Sequence, residues 1–375
     1  MTTDTRDPWS LVFAVMAATT VALLPGTITA FLVGGLIDGL GLSEVQAGAL
    51  VTLEICGVAI AATLVAPFMM RLSALRVAQA GVLLAAAMQF GSILLDSFWM
   101  LVPARLATGV GEGLALAGAS AAVAAARDPD RVYGYSLAGF MGLSAMLFPV
   151  LAEALQRLGL TGGLGLLGVF YLLLLAPLPA LGRVSRKSVS IGPAPRLSHM
   201  RVAVVLLGMV LYGLGPAPMW AFMERVGVDI GLGLDRVGVI YSYGILAGLA
   251  GSLIAGKLGA RLGRTRPLLL GMVLLGLSCL SFSYVSGDAD YTFLVASFLL
   301  TYMFTMTLLF ATVAVFDPSG RLGPAALGSF VLTLGLGPAL GGLLLEAGTY
   351  STLAWFGLIG CSLTGIYFAT LGRFL

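Results

Sequence analysis

The chain has 375 residues, of which 59% are hydrophobic and 10% are charged, and its mean hydropathy is +1.03. Soluble domains carry about 25% charged residues, so a soluble globule of this composition would lack polar side chains to cover its surface. A formal net charge of +3 excludes a nucleic-acid-binding protein, and three scattered cysteines exclude a disulfide framework and a metal site. The sequence therefore predicts a polytopic helical membrane protein without metal or other cofactor.

Twelve apolar runs follow one another along the chain. Each run is long enough to supply the roughly 20 residues with which a helix crosses a bilayer. Short polar segments separate the runs, and two of these separators are so short that the adjacent spans must form tight helical hairpins. The predicted spans are 9–37, 45–70, 77–96, 98–126, 132–156, 162–182, 200–226, 235–258, 267–286, 291–316, 323–346 and 350–372.

Lysine and arginine residues are distributed unevenly between the two sides of these spans. With both termini in the cytoplasm, the cytoplasmic segments hold 16 of the 20, and the outer loops hold only Arg157, Arg225 and Arg236. Cytoplasmic loops of membrane proteins carry the excess of positive charge. The sequence therefore predicts a multi-pass protein of the cell (inner) membrane with both termini in the cytoplasm.

An internal repeat divides the chain. The turn after the second span has Arg71 and Arg76 where the turn after the eighth has Arg261 and Arg266, 190 residues later. Many secondary transporters are built from such duplicated units. The predicted units are an N-terminal six-helix bundle (1–182), a cytoplasmic linker (183–200) and a C-terminal six-helix bundle (201–375).

Three short motifs resemble those of the major facilitator superfamily. The turn after the eighth span is similar to the signature loop G-x-x-x-D-R/K-x-G-x-R/K-R/K, with Ala260 in place of the acid. In the fourth span, residues 105–111 (RLATGVG) resemble R-x-x-x-G-x-G, and in the eleventh, residues 335–342 (GLGPALGG) resemble G-P-x-x-G-G. The matching residues of the first and third motifs are Gly256, Arg261, Gly263 and Arg266, and Gly337, Pro338, Gly341 and Gly342.

This resemblance implies an all-α fold of twelve transmembrane helices in two pseudo-symmetric six-helix bundles around a central cavity. It also implies that the arginine-rich loops latch the two halves together on the cytoplasmic side. Independently of the resemblance, glycine and proline in residues 335–342 allow helices to pack closely and to bend. The residues expected to form the latch are Arg71, Arg76, Gly256, Arg261, Gly263 and Arg266.

Three ionisable residues lie deep inside the predicted spans, and Glu153, Glu224 and Lys257 lie nearer the span ends. An ionisable side chain at the membrane centre costs ~2.5–3.5 kcal/mol, and such residues are usually functional. Measured from the outer span ends, Arg105, Glu54 and Glu112 are about 10, 13 and 21 Å deep.

Arg105 is therefore expected to pair with Glu54 or with Glu112. We predict proton coupling at Glu112, supported by Glu54 and Arg105. A permanent structural ion pair is the alternative interpretation of the same residues.

The rest of the predicted cavity is apolar and aromatic. Methionine and aromatic side chains adapt to varied apolar ligands, although aromatic residues near span ends equally fit an interfacial belt. The chain contains no asparagine, which disfavours a polyhydroxylated substrate. The predicted substrate-binding residues are Arg105, Glu112, Tyr212, Trp220, Tyr243, Tyr302 and Met303.

These features predict a monomeric secondary transporter of a small amphipathic or hydrophobic organic molecule, coupled to protons, with export as the first choice. Its other partners would be membrane lipids. Uptake of an organic carboxylate anion, with Arg105 as its contact, is one alternative, and a non-transporting membrane scaffold or sensor is another. The sequence shows no nucleophile–base pair, metal cluster or phosphate loop, so an enzyme is not expected.

Overall fold

The computed structural model describes residues 7–183, 199–262, 265–316 and 322–371, and all regular structure within these ranges is helical. Residues 184–198 of the predicted linker, and Gly263, lie outside the described part. The α-helices are α1 (Trp9–Thr27), α2 (Thr29–Leu40), α3 (Glu44–Val65), α4 (Ala74–Ser92), α5 (Phe98–Ala124), α6 (Pro129–Leu173), α7 (His199–Leu214), α8 (Ala217–Asp229), α9 (Leu234–Leu262), α10 (Thr265–Ser281), α11 (Asp288–Phe316), α12 (Leu322–Glu346) and α13 (Tyr350–Leu371). Short 3₁₀ helices cover Ala66–Phe68, Leu178–Arg183 and Phe282–Tyr284.

Eleven helical segments of the described chain are long and apolar enough to cross a membrane. The longest, Arg131–Leu173, consists of two spans, because the backbone leaves helical geometry at Gly159 (φ 62°, ψ −158°). Beyond this segment, Gly182 lies against Leu75 at the start of α4, on the side of the molecule where α6 began. The chain therefore crosses twelve times, and the predicted twelve-helix membrane fold is confirmed.

The two sides of the molecule differ in charge. The side that holds the α3–α4 and α5–α6 loops carries Arg71, Arg76, Arg127 and Arg131, and is called the basic side below. The other side carries mainly acidic residues in its loops and at its helix ends, and is called the acidic side. Its acidic residues include Asp38, Glu44, Asp96, Asp229, Asp288, Asp290 and Glu346.

Helices of the two halves begin at equivalent positions along the chain. α7, α9 and α11 each begin 190 residues after α1, α3 and α5 respectively. The first span is interrupted between α1 and α2, just after Pro25–Gly26, and the seventh is interrupted between α7 and α8, at Gly215–Pro216. Proline in a helix removes a backbone hydrogen bond and clashes with the preceding turn, so both breaks have a local cause. The 190-residue offset between the arginine pairs of the two loops therefore also relates the interruption of the first span to that of the seventh.

The halves contact each other along three helix pairs, α3 with α12, α6 with α9 and α2 with α8. In the first pair, residues 44–55 meet residues 335–342, and the Ala339 amide donates to Thr52 Oγ1 at 3.1 Å. In the second pair, Ser242 Oγ donates to the Ala145 carbonyl at 2.6 Å, and the Asp235 amide donates to Gln156. These contacts lie toward the acidic side. Nearer the basic side, Gly142, Gly256 and Gly328 are exposed and have open space beside them.

Gly342 tests how strongly this interface depends on close backbone approach. A Cβ atom at Gly342 would lie 2.8 Å from Val45 Cα, so a side chain there forces α3 and α12 apart. Replacing Gly342 with leucine is expected to raise the rate at which an impermeant maleimide modifies a cysteine at position 52 by about tenfold or more, a ratio that corresponds to about 1.4 kcal/mol.

The control for this experiment lies on the same helix. Gly328 has open space beside it, so Gly328→Leu should leave the modification rate unchanged. Equal rates in the Gly342 and Gly328 variants would show that α3 and α12 do not need to touch.

Candidate functional site

A buried ion pair lies inside the N-terminal half. Arg105 Nη1 is 3.3 Å from Glu54 Oε2, and both side chains are almost completely buried. Arg105 Nη2 donates to Ser92 Oγ at 2.6 Å and to Gln89 Oε1 at 3.1 Å. Of the two pairings that the sequence left open, the structure has the one with Glu54.

Glu112 lies two turns further along α5, on the same side of the helix as Arg105. It is completely buried, and the hydroxyl of Tyr171 donates to its Oε1 at 2.7 Å. Its other oxygen, Oε2, has no hydrogen-bond partner among the described residues. Buried polar atoms are normally paired, so an unpartnered carboxyl oxygen next to a buried ion pair marks a group that protonation would stabilise.

This polar group is internal to one bundle. Arg105 and Glu112 point toward α3, α4 and the second arm of α6, all of which belong to the N-terminal half. The sequence had placed both residues on the central cavity, because position along a span gives depth but not direction. The side of α5 that carries them is fixed by glycines, since a Cβ at Gly109 would lie 3.1 Å from Glu54 Cα.

Burial of Arg105 also bears on the predicted anion contact. Its side chain is 2% exposed, and the two terminal nitrogens already have carboxylate, amide and hydroxyl partners. A substrate carboxylate would have to displace Glu54 inside a packed bundle. The conformation described here therefore offers no anion site at Arg105.

Four aromatic rings meet between the halves, and they are called the interhalf cluster below. Phe31 and Phe148 come from the N-terminal half, and Trp220 and Tyr241 from the C-terminal half. Ring centroids lie 5.0 Å apart for Phe31–Tyr241, 5.2 Å for Phe148–Tyr241 and 5.5 Å for Trp220–Tyr241. Aromatic pairs at these distances contribute about 0.5–1.5 kcal/mol each beyond the apolar area they bury.

The interhalf cluster lies where the two broken spans meet. Trp220 follows the break in the seventh span, and its indole Nε1 donates to the carbonyl of Gly26, beside the break in the first span, at 2.9 Å. In membrane proteins built from repeats, paired Gly/Pro interruptions in corresponding spans are the best structural pointer to a binding site. The clustered rings are therefore the leading candidate for a ligand contact.

A column of stacked rings continues from Trp220 into the C-terminal half. Phe298, Tyr302, Tyr212 and Phe330 follow in order, with consecutive centroids 5.6–6.2 Å apart and planes within 19° of parallel. The hydroxyls of Tyr302 and of Tyr241 have no hydrogen-bond partner among the described residues. These two hydroxyls can supply polar contacts to a ligand that is otherwise held by rings.

The structure groups some of the predicted substrate residues and separates others. Tyr212, Trp220 and Tyr302 belong to one stacked column, and Met303 packs beside Gly248 of α9. Tyr243 is half exposed and lies apart from the cluster. Its neighbour Tyr241, which the sequence did not single out, has the interhalf position, because residues two apart on a helix point in nearly opposite directions.

The predicted latch loops make no visible contact between the halves in the described part of the chain. Arg71, Arg76 and Arg266 are exposed, and Gly256 has open space around it. The side chain of Arg261 and all of Gly263 lie outside the described part. The latch between these loops therefore stays a prediction.

The glycine motif of the eleventh span packs against both halves. A Cβ at Gly337 would meet the Ala217 carbonyl carbon at 2.8 Å, and one at Gly341 would meet the Phe222 ring at 2.7 Å, both on α8. Pro338 and Gly342 instead lie against α3 of the other half. The close packing expected of this motif therefore occurs where α12 fits between α8 and α3.

No group of three or more histidine, cysteine or acidic side chains that could hold a metal ion occurs among the described residues.

The chain resembles known proteins in sequence and in fold. A family model described as Major Facilitator Superfamily matches residues 10–342. The solved structure of the nucleoside transporter NupG has a TM-score of 0.74 at 14% sequence identity, covering 98% of this chain and 99% of that chain. A bacterial homologue of the human lysosomal transporter Spinster, inward-facing and unoccupied, also has a TM-score of 0.74 at 14% identity, covering 98% and 96%. No curated protein matches the sequence. At these identities the solved structures show the shared fold alone.

Proposed function

Because the chain belongs to the Major Facilitator Superfamily, we propose that it exports a small amphipathic or hydrophobic organic molecule in exchange for protons. In this proposal the protein lies in the cell membrane with its basic side and both termini in the cytoplasm, as the positive charge of the basic loops favours. Bundles 1–182 and 201–375, joined by the linker 183–200, rock against each other.

The observation that carries the proposal is the position of the interhalf cluster. Its rings come from both halves and lie beside the two broken spans, where the halves are in contact. When the halves rock, these rings must separate and face the opposite compartment.

The chemistry of the cluster favours a substrate with an apolar or aromatic body. Each of its four rings is at least nine-tenths buried, and the hydroxyls of Tyr241 in the cluster and of Tyr302 in the adjoining column have no hydrogen-bond partner among the described residues. A molecule with one or two polar groups could pair with these hydroxyls, whereas a sugar would leave many of its own hydroxyls without partners. The absence of asparagine from the chain supports this choice.

Glu112 supplies the proposed proton-binding group. Its carboxyl is buried, has a single hydrogen-bond partner among the described residues and lies two turns along α5 from Arg105 of the buried ion pair. The proton site is thus inside the N-terminal bundle, separate from the substrate site between the halves. Movement of α5 against α3 and α6 would connect the two.

Transport in proteoliposomes with an internal pH dye tests this proposal. The panel contains amphipathic cations, neutral lipophiles and aromatic acids. Proton movement is expected with either the amphipathic cations or the neutral lipophiles. Proton movement with aromatic acids alone would favour anion uptake. If no compound of the panel causes proton movement and no tracer flux is measured, the result would favour a scaffold or sensor.

Trp220→Ala is the variant that tests the substrate site. Losing the indole on which an apolar ligand would pack is expected to reduce apparent affinity for the active compound about tenfold, because one aromatic contact contributes up to ~1.5 kcal/mol. Trp355→Ala is the matched control, since Trp355 is 49% exposed on α13. Equal effects of both variants would remove the interhalf cluster from the proposal.

A further inference from the structure

A second charged cluster joins the halves on the acidic side. Arg225 of α8 donates from Nη1 to Asp38 Oδ1 at 2.9 Å, and its Nη2 is 2.7 Å from Asp38 Oδ2. The same Nη2 donates to the Gly34 carbonyl at 2.5 Å. Asp38 and Gly34 belong to α2, so one guanidinium ties the seventh span to the first with three contacts. Bidentate pairs of this kind are geometrically specific and strong.

Glu224, the residue before Arg225, is buried behind this ion pair. Its side chain is 1% exposed, and neither carboxyl oxygen has a hydrogen-bond partner among the described residues. Oε2 lies 3.5 Å from Arg225 Nε. The carboxyl fits only because residue 34 is glycine, since a Cβ there would lie 2.9 Å from Glu224 Cδ.

The charges around Glu224 do not balance when it is ionised. Among the described residues, Arg225 is the one cation in contact with it, and Asp38 already neutralises that cation. The other titratable groups within electrostatic range are Asp229 at the end of α8, Tyr241 of α9, Tyr291 of α11 and Tyr350 of α13. None of them adds positive charge. An ionised Glu224 would therefore be a buried anion without a counterion, which is strongly unfavourable.

We propose that Glu224 binds one proton whenever the acidic side closes and releases it when that side opens. On closure, the carboxylate takes a proton from water and becomes a neutral carboxyl while the Asp38–Arg225 pair forms. On opening, Arg225 leaves Asp38, water enters, and the carboxyl returns its proton to the water. This gate rests on the proposed alternating access, but it is distinct from Glu112 and from substrate binding.

The gate makes the balance between conformations depend on pH. Protonation occurs only in the closed form, so acid stabilises closure of the acidic side and alkali favours its opening. Spin labels on cysteines introduced at Asp96 and Ala289, with the native cysteines replaced, report the separation of the halves on that side. Between pH 5 and pH 9, pulsed electron paramagnetic resonance should show a growing long-distance population.

Glu224→Gln is the decisive variant, because glutamine keeps the shape of the neutral carboxyl and cannot ionise. It is expected to give the short distance at every pH. Glu153→Gln is the matched control, since Glu153 is a partly exposed acid on the acidic side that pairs with Arg157 within one helix. A pH-independent wild type, or an unchanged pH shift in Glu224→Gln, would overturn the proposal.

Gly34→Ala keeps the test valid if Glu224→Gln does not fold. The added methyl displaces the Glu224 carboxyl and the Arg225 guanidinium, so the long-distance population should rise at all pH values. An unchanged distribution would contradict the gate.

Glu112→Gln separates the two proposals, because it should abolish proton-coupled transport and leave the pH-dependent distances intact. In the wild-type protein, a normal pH shift without transport of any compound would refute the proposed function and keep the gate.

Discussion

Arg105→Met is expected to destabilise the protein by about 3–5 kcal/mol, the usual cost of removing one partner from a buried ion pair. The guanidinium has four close partners in α3 and α4, namely Glu54, Gln89, Ser92 and the Met88 carbonyl. Methionine fills part of the space but leaves the Glu54 carboxyl without a counterion and two polar side chains without a donor. Equilibrium unfolding in detergent or lipid nanodiscs measures the loss.

The matched control removes both charges together. Arg105→Met combined with Glu54→Gln leaves no unpaired charge, so most of the lost stability should return. The difference between the single and the double variant is the energetic coupling of the pair. Equal stability of wild type and Arg105→Met would show that Arg105 is not part of the structural framework of the N-terminal bundle.

Glu112→Gln is expected to abolish substrate-driven proton movement and to spare substrate binding. The amide keeps the shape of the side chain and can still accept from Tyr171, but it has no proton to exchange. The substrate site lies between the halves, at the interhalf cluster, so binding should stay within about twofold of the wild type. The pH dye in proteoliposomes measures coupling, and direct binding of the active compound measures the site.

Two further variants make this result specific. Glu346→Gln changes an exposed acid at the end of α12 and should leave proton movement unchanged. Tyr171→Phe removes the one donor to Glu112, and we expect altered pH dependence of transport with coupling retained. Proton movement at the wild-type rate in Glu112→Gln would assign coupling to another group, and loss of substrate binding would place Glu112 in the substrate site.

Two tyrosines of α9 that look equivalent in the sequence have different environments in the fold. Tyr241 and Tyr243 are two residues apart in the same apolar run, and the sequence-based prediction placed Tyr243 in the substrate site. Packing against α11 and the N-terminal half buries Tyr241 completely and leaves Tyr243 half exposed. The choice depends on which face of the helix meets its neighbours, and that is a property of the assembled bundle.

The cluster around Glu224 illustrates the same limit for charged residues. From the sequence, Glu224 was one of several ionisable residues near a span end. Its environment arises from Asp38 and Gly34, which are more than 180 residues away along the chain. No local pattern contains that contact.

By itself, the sequence determined the class of the protein, the number of spans and most of their limits. The fourth span was expected at 98–126 and is observed at Phe98–Ala124, because a bilayer requires a continuous apolar run and charged residues stop it. The offset of 190 residues was likewise visible in the arginine pairs and recurs in the helix starts.

Only the tertiary structure decided which partners the buried charges have and which side of the molecule is closed. Arg105 faces α3 and α4 because glycines let α5 approach those helices, and this rotation takes it away from the other half. Depth in the membrane follows from counting residues along a helix. Direction follows from packing between helices that are far apart in the sequence, and for that reason it had to be read from the fold.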